Sequence, residues 1–286
     1  MYDVMIIGGG PAGITAGIYC ARANLKTIVF EKESIGGQIA SSPLIQNFPG
    51  FISINGAEFA NNLYEQATNL GVDIEIEEVL SIKPGKIKTV VTDCGEYQTK
   101  TVIIATGAKH RLLHLPNEEN LIGNGISFCT ACDGAFYKGK DVVVIGNGDY
   151  AISEADDLKG VASSVRILTN GLEKPENAND YEIVDKKIKE ITGEGKVSEI
   201  IFDDDSKLEV AGVFIALGRA GGADFAKKLG VLTEGDTITV DDNMKTSVDG
   251  IYSCGDAVGG LLQVSKSVSD GAKAGIDAAS YIRNLK

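Results

Sequence analysis

A glycine-rich loop between an apolar strand and a long helix occurs twice in this 286-residue chain, and nothing else in the sequence restricts the fold so tightly. In the first copy, Tyr2 to Ile7 is a short apolar run that ends in Gly8-Gly9-Gly10-Pro11-Ala12-Gly13. The stretch Ala12 to Ala23 is helical by composition and length, and Lys26 to Phe30 reads as a second strand closed by Glu31. Together they make one β-α-β unit of roughly the expected 30 residues. The second copy starts at Asp141 to Ile145, runs through Gly146-Asn147-Gly148-Asp149-Tyr150-Ala151 into a helix reaching Leu158, and returns as a strand over Ser164 to Leu168. Two mononucleotide-binding units predict an α/β protein with two nucleotide-binding, Rossmann-like, three-layer domains.

Two more matched pieces support the duplication. TVIIATG at Thr101–Gly107 and AGVFIALG at Ala211–Gly218 are buried-strand runs stopped by glycine. After the second comes a tail with Gly255-Asp256 and a final helix from about Ser265 to Leu285. That tail is too short for a domain of its own. The simplest arrangement returns it to the first domain, giving 1–111 with 218–286 as one domain and 112–217 as an insert.

A net charge of −13 and a pI near 4.7 make nucleic acid and anionic lipid unsuitable partners. No apolar run approaches a membrane span, and no charged-then-apolar leader precedes Tyr2. Five cysteines in so large a chain do not make a disulfide scaffold, which implies a reducing, cytoplasmic setting.

The first glycine loop carries its own chemistry. Gly8 permits the tight turn, Gly10 lets backbone approach a pyrophosphate, and Gly13 lets helix and strand pack closely. The helix N-terminus stabilises phosphate charge, and Glu31 can accept from ribose hydroxyls. A second candidate site is Cys129-Thr130-Ala131-Cys132-Asp133-Gly134. Two cysteines at this spacing form a small disulfide or hold part of a metal site. Zinc needs two further ligands, whereas Cys20, Cys94 and Cys254 look isolated and buried and the histidines are only His110 and His114. The ligand count therefore favours redox use. Asp133 beside the pair can move a proton during thiol chemistry, cap a helix, or both.

Over nearly its whole length the chain resembles the low-molecular-weight thioredoxin reductases. The resemblance rests on GGGPAG at Gly8–Gly13, Gly36-Gly37-Gln38, Asn47-Phe48-Pro49-Gly50, ATG at Ala105–Gly107, CTACDG at Cys129–Gly134, and CGD at Cys254–Asp256 followed by Gln263. It implies a homodimer whose FAD domain is split around a central domain bearing the CxxC. It also implies that Gly8, Gly10, Pro11, Ala12, Gly13, Glu31 and Lys32 surround the adenosine diphosphate half of FAD. Gly37, Gln38 and Asn47 would lie near the ribityl chain or isoalloxazine, with Thr106 and Gly107 among the cofactor contacts. Asp256 would bind the ribityl hydroxyls, with Gln263 and Val264 near the ring. By the same resemblance Cys132 faces the flavin, Cys129 attacks the thioredoxin disulfide, and Asp133 is the acid/base residue.

The chain departs from that family after the strand ending at Leu168. Members using NADPH carry arginines there for the 2′-phosphate; this chain has Thr169-Asn170-Gly171-Leu172-Glu173-Lys174. No acid closes the strand for an NAD ribose either. The expectation is that the central domain no longer binds a nicotinamide cofactor. The chain then resembles the ferredoxin-dependent branch of the family, with reduced ferredoxin as electron donor. Ferredoxins are acidic, so docking needs a local basic patch; the candidates are Lys83/Lys86/Lys88, Lys109/Arg111 and Lys186/Lys187/Lys189. Leu262 stands where the family often has Arg before the glutamine. Competing readings are an NAD(P)H-dependent thioredoxin reductase, an FAD-dependent dithiol oxidase, and a redox-sensing flavoprotein.

Overall fold

The apolar strands near both glycine loops are short and buried on both faces, as strands of a parallel sheet covered on each side must be. The computed structural model describes residues 1–175, 177–220 and 226–285, without the side chains of Lys109, His110, Arg219 and Ala220. The chain divides into two compact units, Met1–Lys109 with Gly221–Lys286, and His110–Ala220.

In the first unit, strand Tyr2–Ile7 lies at the centre of the sheet. Thr27–Glu31 and then Asp73–Ile76 run parallel on one side, and Glu96–Ile104 runs parallel on the other. Glu96–Ile104 is long enough to serve two further partners along its other edge. Its first half pairs antiparallel with Lys88–Thr92, which pairs with Val79–Lys83, and its second half pairs in parallel with Ile251–Ser253. Alternate residues of the sheet face opposite layers. Val4, Ile6, Val29, Ile103 and Tyr252 pack toward helices Pro11–Arg22 and Val264–Asn284. Met5, Ile28, Phe30 and Val102 pack toward Ile82 and Val90 of the antiparallel strands. The two helices meet through small residues: a Cβ on Gly271 would stand 2.2 Å from the Ala12 carbonyl oxygen, and one on Gly275 2.8 Å from that of Ala16.

The second unit repeats the plan. Its parallel sheet runs in the order Glu182–Val184, Ser164–Leu168, Asp141–Ile145, Gly212–Ile215, Ile126–Ser127. Helix Asp149–Lys159 covers one face through Ala151, Ala155 and Leu158. An antiparallel meander of Ile188–Thr192, Glu199–Phe202 and Lys207–Glu209 covers the other through Ile188, Ile191, Ile200 and Phe202. Each unit is thus three layers, parallel sheet between helix and antiparallel strands. Among the described residues no helix is long and apolar enough to cross a membrane.

Candidate functional site

The strand order of the first unit reverses direction on either side of Tyr2–Ile7, which opens a crevice at the carboxyl ends of the strands. Gly8, Glu31, Thr106 and Asp256 all lie at or just beyond such ends. Gly8 has φ 111°, and a Cβ there would stand 2.3 Å from the Ala105 carbonyl oxygen, so only glycine fits. A Cβ on Gly13 would fall 1.9 Å from the Gly8 oxygen, which is how the helix comes so close to the turn. Gly10 is different: a Cβ there would meet nothing nearer than the Gly36 oxygen at 3.9 Å. The backbone is bare at the one place where a phosphate must come against it. Helix Pro11–Arg22 begins at Gly10 with no side-chain cap, and Pro11 has no N–H, so the Ala12 and Gly13 amides are left for an outside acceptor. This cradle fits a dinucleotide pyrophosphate.

Glu31 is wired into the same turn. Its two oxygens accept the Gly9 amide at 2.7 Å and the Glu33 amide at 3.0 Å. Each carboxylate oxygen keeps a second lone pair for a ribose hydroxyl. Lys32 is exposed and pairs with Glu33 at 3.4 Å. The Gly36 amide bonds to the Gly9 oxygen at 2.8 Å, and Gly36 and Gly37 take φ of 101° and 55° to enter the turn Gly37–Ser41. A Cβ on Gly37 would lie 3.6 Å from the Gly10 Cα, so this turn walls the cradle. The Gln38 side-chain amide donates to the Ala108 carbonyl, beside Thr106 and Gly107. Asn47 Nδ2 donates to Gln263 Oε1 at 3.0 Å, joining two expected flavin contacts from distant segments just before Val264 opens its helix. Asp256 accepts from Ser267 Oγ at 3.3 Å.

In the second unit Cys129 and Cys132 form a disulfide, with Cα atoms 5.3 Å apart. Cys129 caps the short helix Thr130–Asp133, its sulfur accepting the Cys132 amide at 3.1 Å. Cys132 is exposed and Cys129 half-buried. Two anchors absent from the sequence reading hold this turn. Ser127 Oγ donates to Asp133 Oδ2 at 2.6 Å and accepts the Cys129 amide at 3.1 Å. Glu154 Oε2, from helix Asp149–Lys159, accepts both the Thr130 amide at 3.0 Å and its hydroxyl at 2.7 Å. Burial pushes the Asp133 carboxyl above the usual carboxylate range, and the Ser127 hydrogen bond opposes that rise. Neither anchor has a sequence signal, because serine and glutamate here are ordinary residue types on separate segments.

The position that would read a 2′-phosphate is a tight turn. Asn170 and Gly171 have φ of 53° and 79°, and Asn170 Oδ1 accepts the Ile188 amide at 2.8 Å. The strand's one arginine, Arg166, is paired with Glu182 at 2.8 Å. The glycine loop beneath keeps its form: a Cβ on Gly146 would lie 2.6 Å from the Ala216 oxygen.

Three expectations are corrected. Cys94 is exposed, because it sits in the turn between Lys88–Thr92 and Glu96–Ile104, while Cys20 and Cys254 are buried. Burial pushes the Cys20 thiol up to about 12, leaving it inert at neutral pH. Lys88 is only 1% exposed and Lys83 pairs with Glu96 at 2.7 Å, so Lys83/Lys86/Lys88 is no basic patch. Lys186 and Lys189 pair with Asp204 and Asp205 at 2.7 Å each, and Lys187 lies 4.0 Å from Asp203, which neutralises the third patch. The side chains of Lys109 and His110 lie outside the described residues.

Comparison with known proteins agrees with this geometry. The pyridine nucleotide-disulphide oxidoreductase family model matches residues 2–271. A thioredoxin reductase of Bacillus subtilis is 38% identical over an alignment 304 positions long, gaps included, spanning all of this chain and 96% of that protein. The crystal structure of thioredoxin reductase from Streptococcus pyogenes superposes with a TM-score of 0.93 at 36% identity, covering 99% of this chain and 98% of that one. An atypical thioredoxin reductase from Desulfovibrio vulgaris Hildenborough is 33% identical with a TM-score of 0.58, covering 99% and 98%. With an FAD cradle in one unit and a redox disulfide in the other, the chain belongs to the pyridine nucleotide-disulphide oxidoreductase family and, within it, to the FAD-dependent low-molecular-weight thioredoxin reductases.

Proposed function

We propose that this chain reduces the disulfide of thioredoxin through Cys129 and Cys132, taking its electrons from reduced ferredoxin rather than NADPH, as a cytoplasmic homodimer. The observation that carries the first half is the Cys129–Cys132 disulfide beside a carboxyl whose protonated form is favoured by burial. The observation that carries the second is the Asn170–Gly171 turn, where Asn170 is taken up by a half-buried hydrogen bond from the Ile188 amide and no arginine follows the strand to meet a 2′-phosphate.

Bound FAD supplies electrons in pairs at the hydride level. On this reading Gly10, Ala12 and Gly13 hold its pyrophosphate, Glu31 its ribose, and Asp256, Asn47 and Gln263 its ribityl and ring end. Cys132 is the sulfur reduced first. The Cys129–Cys132 bond takes up two electrons and breaks, and Cys129 leaves as thiolate. The Asp133 carboxyl supplies a proton to the dithiol as it forms. Cys129, as thiolate, then attacks one sulfur of the client disulfide, forming a mixed disulfide and releasing a client thiolate. Cys132 attacks Cys129 in that mixed bond, which restores the Cys129–Cys132 disulfide and frees the second client thiolate. Two electrons have moved to the client; the Cys132 proton returns to Asp133, and the client thiolates take their protons from solvent.

The test is anaerobic stopped-flow absorbance of the holoprotein. Reduced ferredoxin should bleach the flavin, and NADPH or NADH at micromolar concentration should not. Rapid bleaching by a nicotinamide would overturn the donor assignment and leave the CxxC relay standing. The intact Gly146–Gly148 loop favours that second reading, an NAD(P)H-dependent thioredoxin reductase, because its packing against Ala216 is that of a working nucleotide turn.

A further inference from the structure

The loop that carries Asp256 is held from one side by a cation that the reaction does not use. Gly255, Gly259 and Gly260 have φ of 72°, 72° and 74°, so the chain turns sharply three times within six residues. The carbonyls of Gly255 and Gly259 both point at Lys266 Nζ, at 2.8 and 2.6 Å. The third partner of that ammonium is Asp270 Oδ2 at 2.8 Å, one turn further along the same helix. Two of the three N–H donors of the lysine go to the glycine carbonyls, and Asp270 faces the ammonium as its ion-pair partner. The pair is mostly buried, with side chains 20% and 7% exposed.

This arrangement is not the one helix electrostatics alone would select. Lys266 lies in the first turn of Val264–Asn284, where the macrodipole disfavours a cation, and that turn contains no acid and no side-chain cap. Asp270 supplies the compensation from within. The next residue, Ser267, donates to Asp256 Oδ1 at 3.3 Å. Adjacent residues of one helical turn therefore grip the loop twice, Lys266 by its backbone on both sides of Asp256 and Ser267 by the Asp256 carboxylate. Leu262, just before the helix, brings no charge of its own.

We infer that Lys266 is a positioning residue for the cofactor: clamped by Asp270, it fixes the Gly255–Gly260 loop so that Asp256 is held ready for the ribityl hydroxyls. This rests on the reading of Asp256 as an FAD ligand, and the experiment separates the two. Apoprotein is titrated with FAD and bound flavin is followed by fluorescence, with the thermal midpoint of the apoprotein measured in parallel. K266M should weaken FAD binding at least tenfold, and K266R, which keeps the charge and the donors, should stay within about threefold of wild type. K266Q, with two amide donors and no ion pair, serves if K266M does not fold. A wild-type FAD Kd in K266M or K266Q overturns the inference, as does a lower apoprotein midpoint with unchanged Kd. D256N tests the underlying reading: if it leaves FAD affinity intact, Asp256 is no ligand and that reading fails first. If D256N weakens FAD and K266M does not, only the positioning role falls.

Discussion

Substituting Gly10 by alanine should separate cofactor affinity from protein stability. Gly10 is the N-cap of helix Pro11–Arg22 with φ −75° and ψ 179°, an extended conformation open to any residue. The new methyl would meet no protein atom closer than 3.9 Å, so it causes no clash. Alanine is a poorer N-cap than glycine, costing roughly 0.5–1 kcal/mol. It also restricts the unfolded chain, which stabilises by about 0.4–1 kcal/mol. The two nearly cancel, leaving the apoprotein within about 0.5 kcal/mol of wild type, or about 1–2 °C in thermal midpoint. The methyl projects into the space a pyrophosphate must occupy to reach the Ala12 and Gly13 amides. Losing one hydrogen bond to a charged acceptor costs about 1.5–3 kcal/mol, a roughly tenfold to hundredfold weaker Kd. The assay is FAD reconstitution of apo-G10A beside a thermal melt. G13A is the internal contrast, since its Cβ would stand 1.9 Å from the Gly8 oxygen and must displace backbone; it should lower the midpoint itself. Unchanged FAD affinity in G10A, or a midpoint loss as large as that of G13A, would refute the reasoning.

Three further outcomes are expected. C129S should retain FAD and lose thioredoxin turnover, with the Cys132 thiolate giving a long-wavelength charge-transfer band against oxidised flavin; a band in C132S and none in C129S would reverse the roles. S127A should raise the Asp133 carboxyl further, because the hydrogen bond it removes is what opposes burial. A folded-state value above the unfolded one adds stability that is present at low pH and lost as pH rises through the folded value. The S127A pH-rate profile should therefore move its alkaline limb upward, and a downward or absent shift counts against the assignment. E154A should leave the Thr130 amide without its acceptor, while Asp157 Oδ2 at 3.3 Å still serves the hydroxyl. A buried unpaired donor costs about 1–3 kcal/mol, so dithiol–disulfide exchange at the CxxC should slow about tenfold with FAD content unchanged; equal exchange rates in E154A and wild type would discount the anchor.

The elements set by local chemistry are legible in the residues themselves. The strand Ser164–Leu168 lies where its apolar run ends at polar residues, and helix Pro11–Arg22 begins one residue before the expected start because proline is well suited to a first helical position. The final helix, expected from Ser265 to Leu285, runs Val264–Asn284. Burial of single residues was less legible. Cys94 looked like a core cysteine by type, yet turn geometry puts it outside; Lys88 looked like a surface cation, yet its ammonium reaches the Lys100 carbonyl at 3.0 Å from inside.

The sequence by itself determined the repeated nucleotide-binding plan, the glycine cradle and the CxxC, because each depends on residues close together in the chain and on the short-range steric needs of backbone. Tertiary structure alone decided which polar groups meet across segments: Ser127 with Asp133, Glu154 with Thr130, Asn47 with Gln263, and Lys266 with the two glycine carbonyls. A hydrogen bond depends on distances of a few tenths of an ångström between groups that may be hundreds of residues apart. No local pattern of residue types encodes such distances, and only the packed sheets and helices bring the partners within reach.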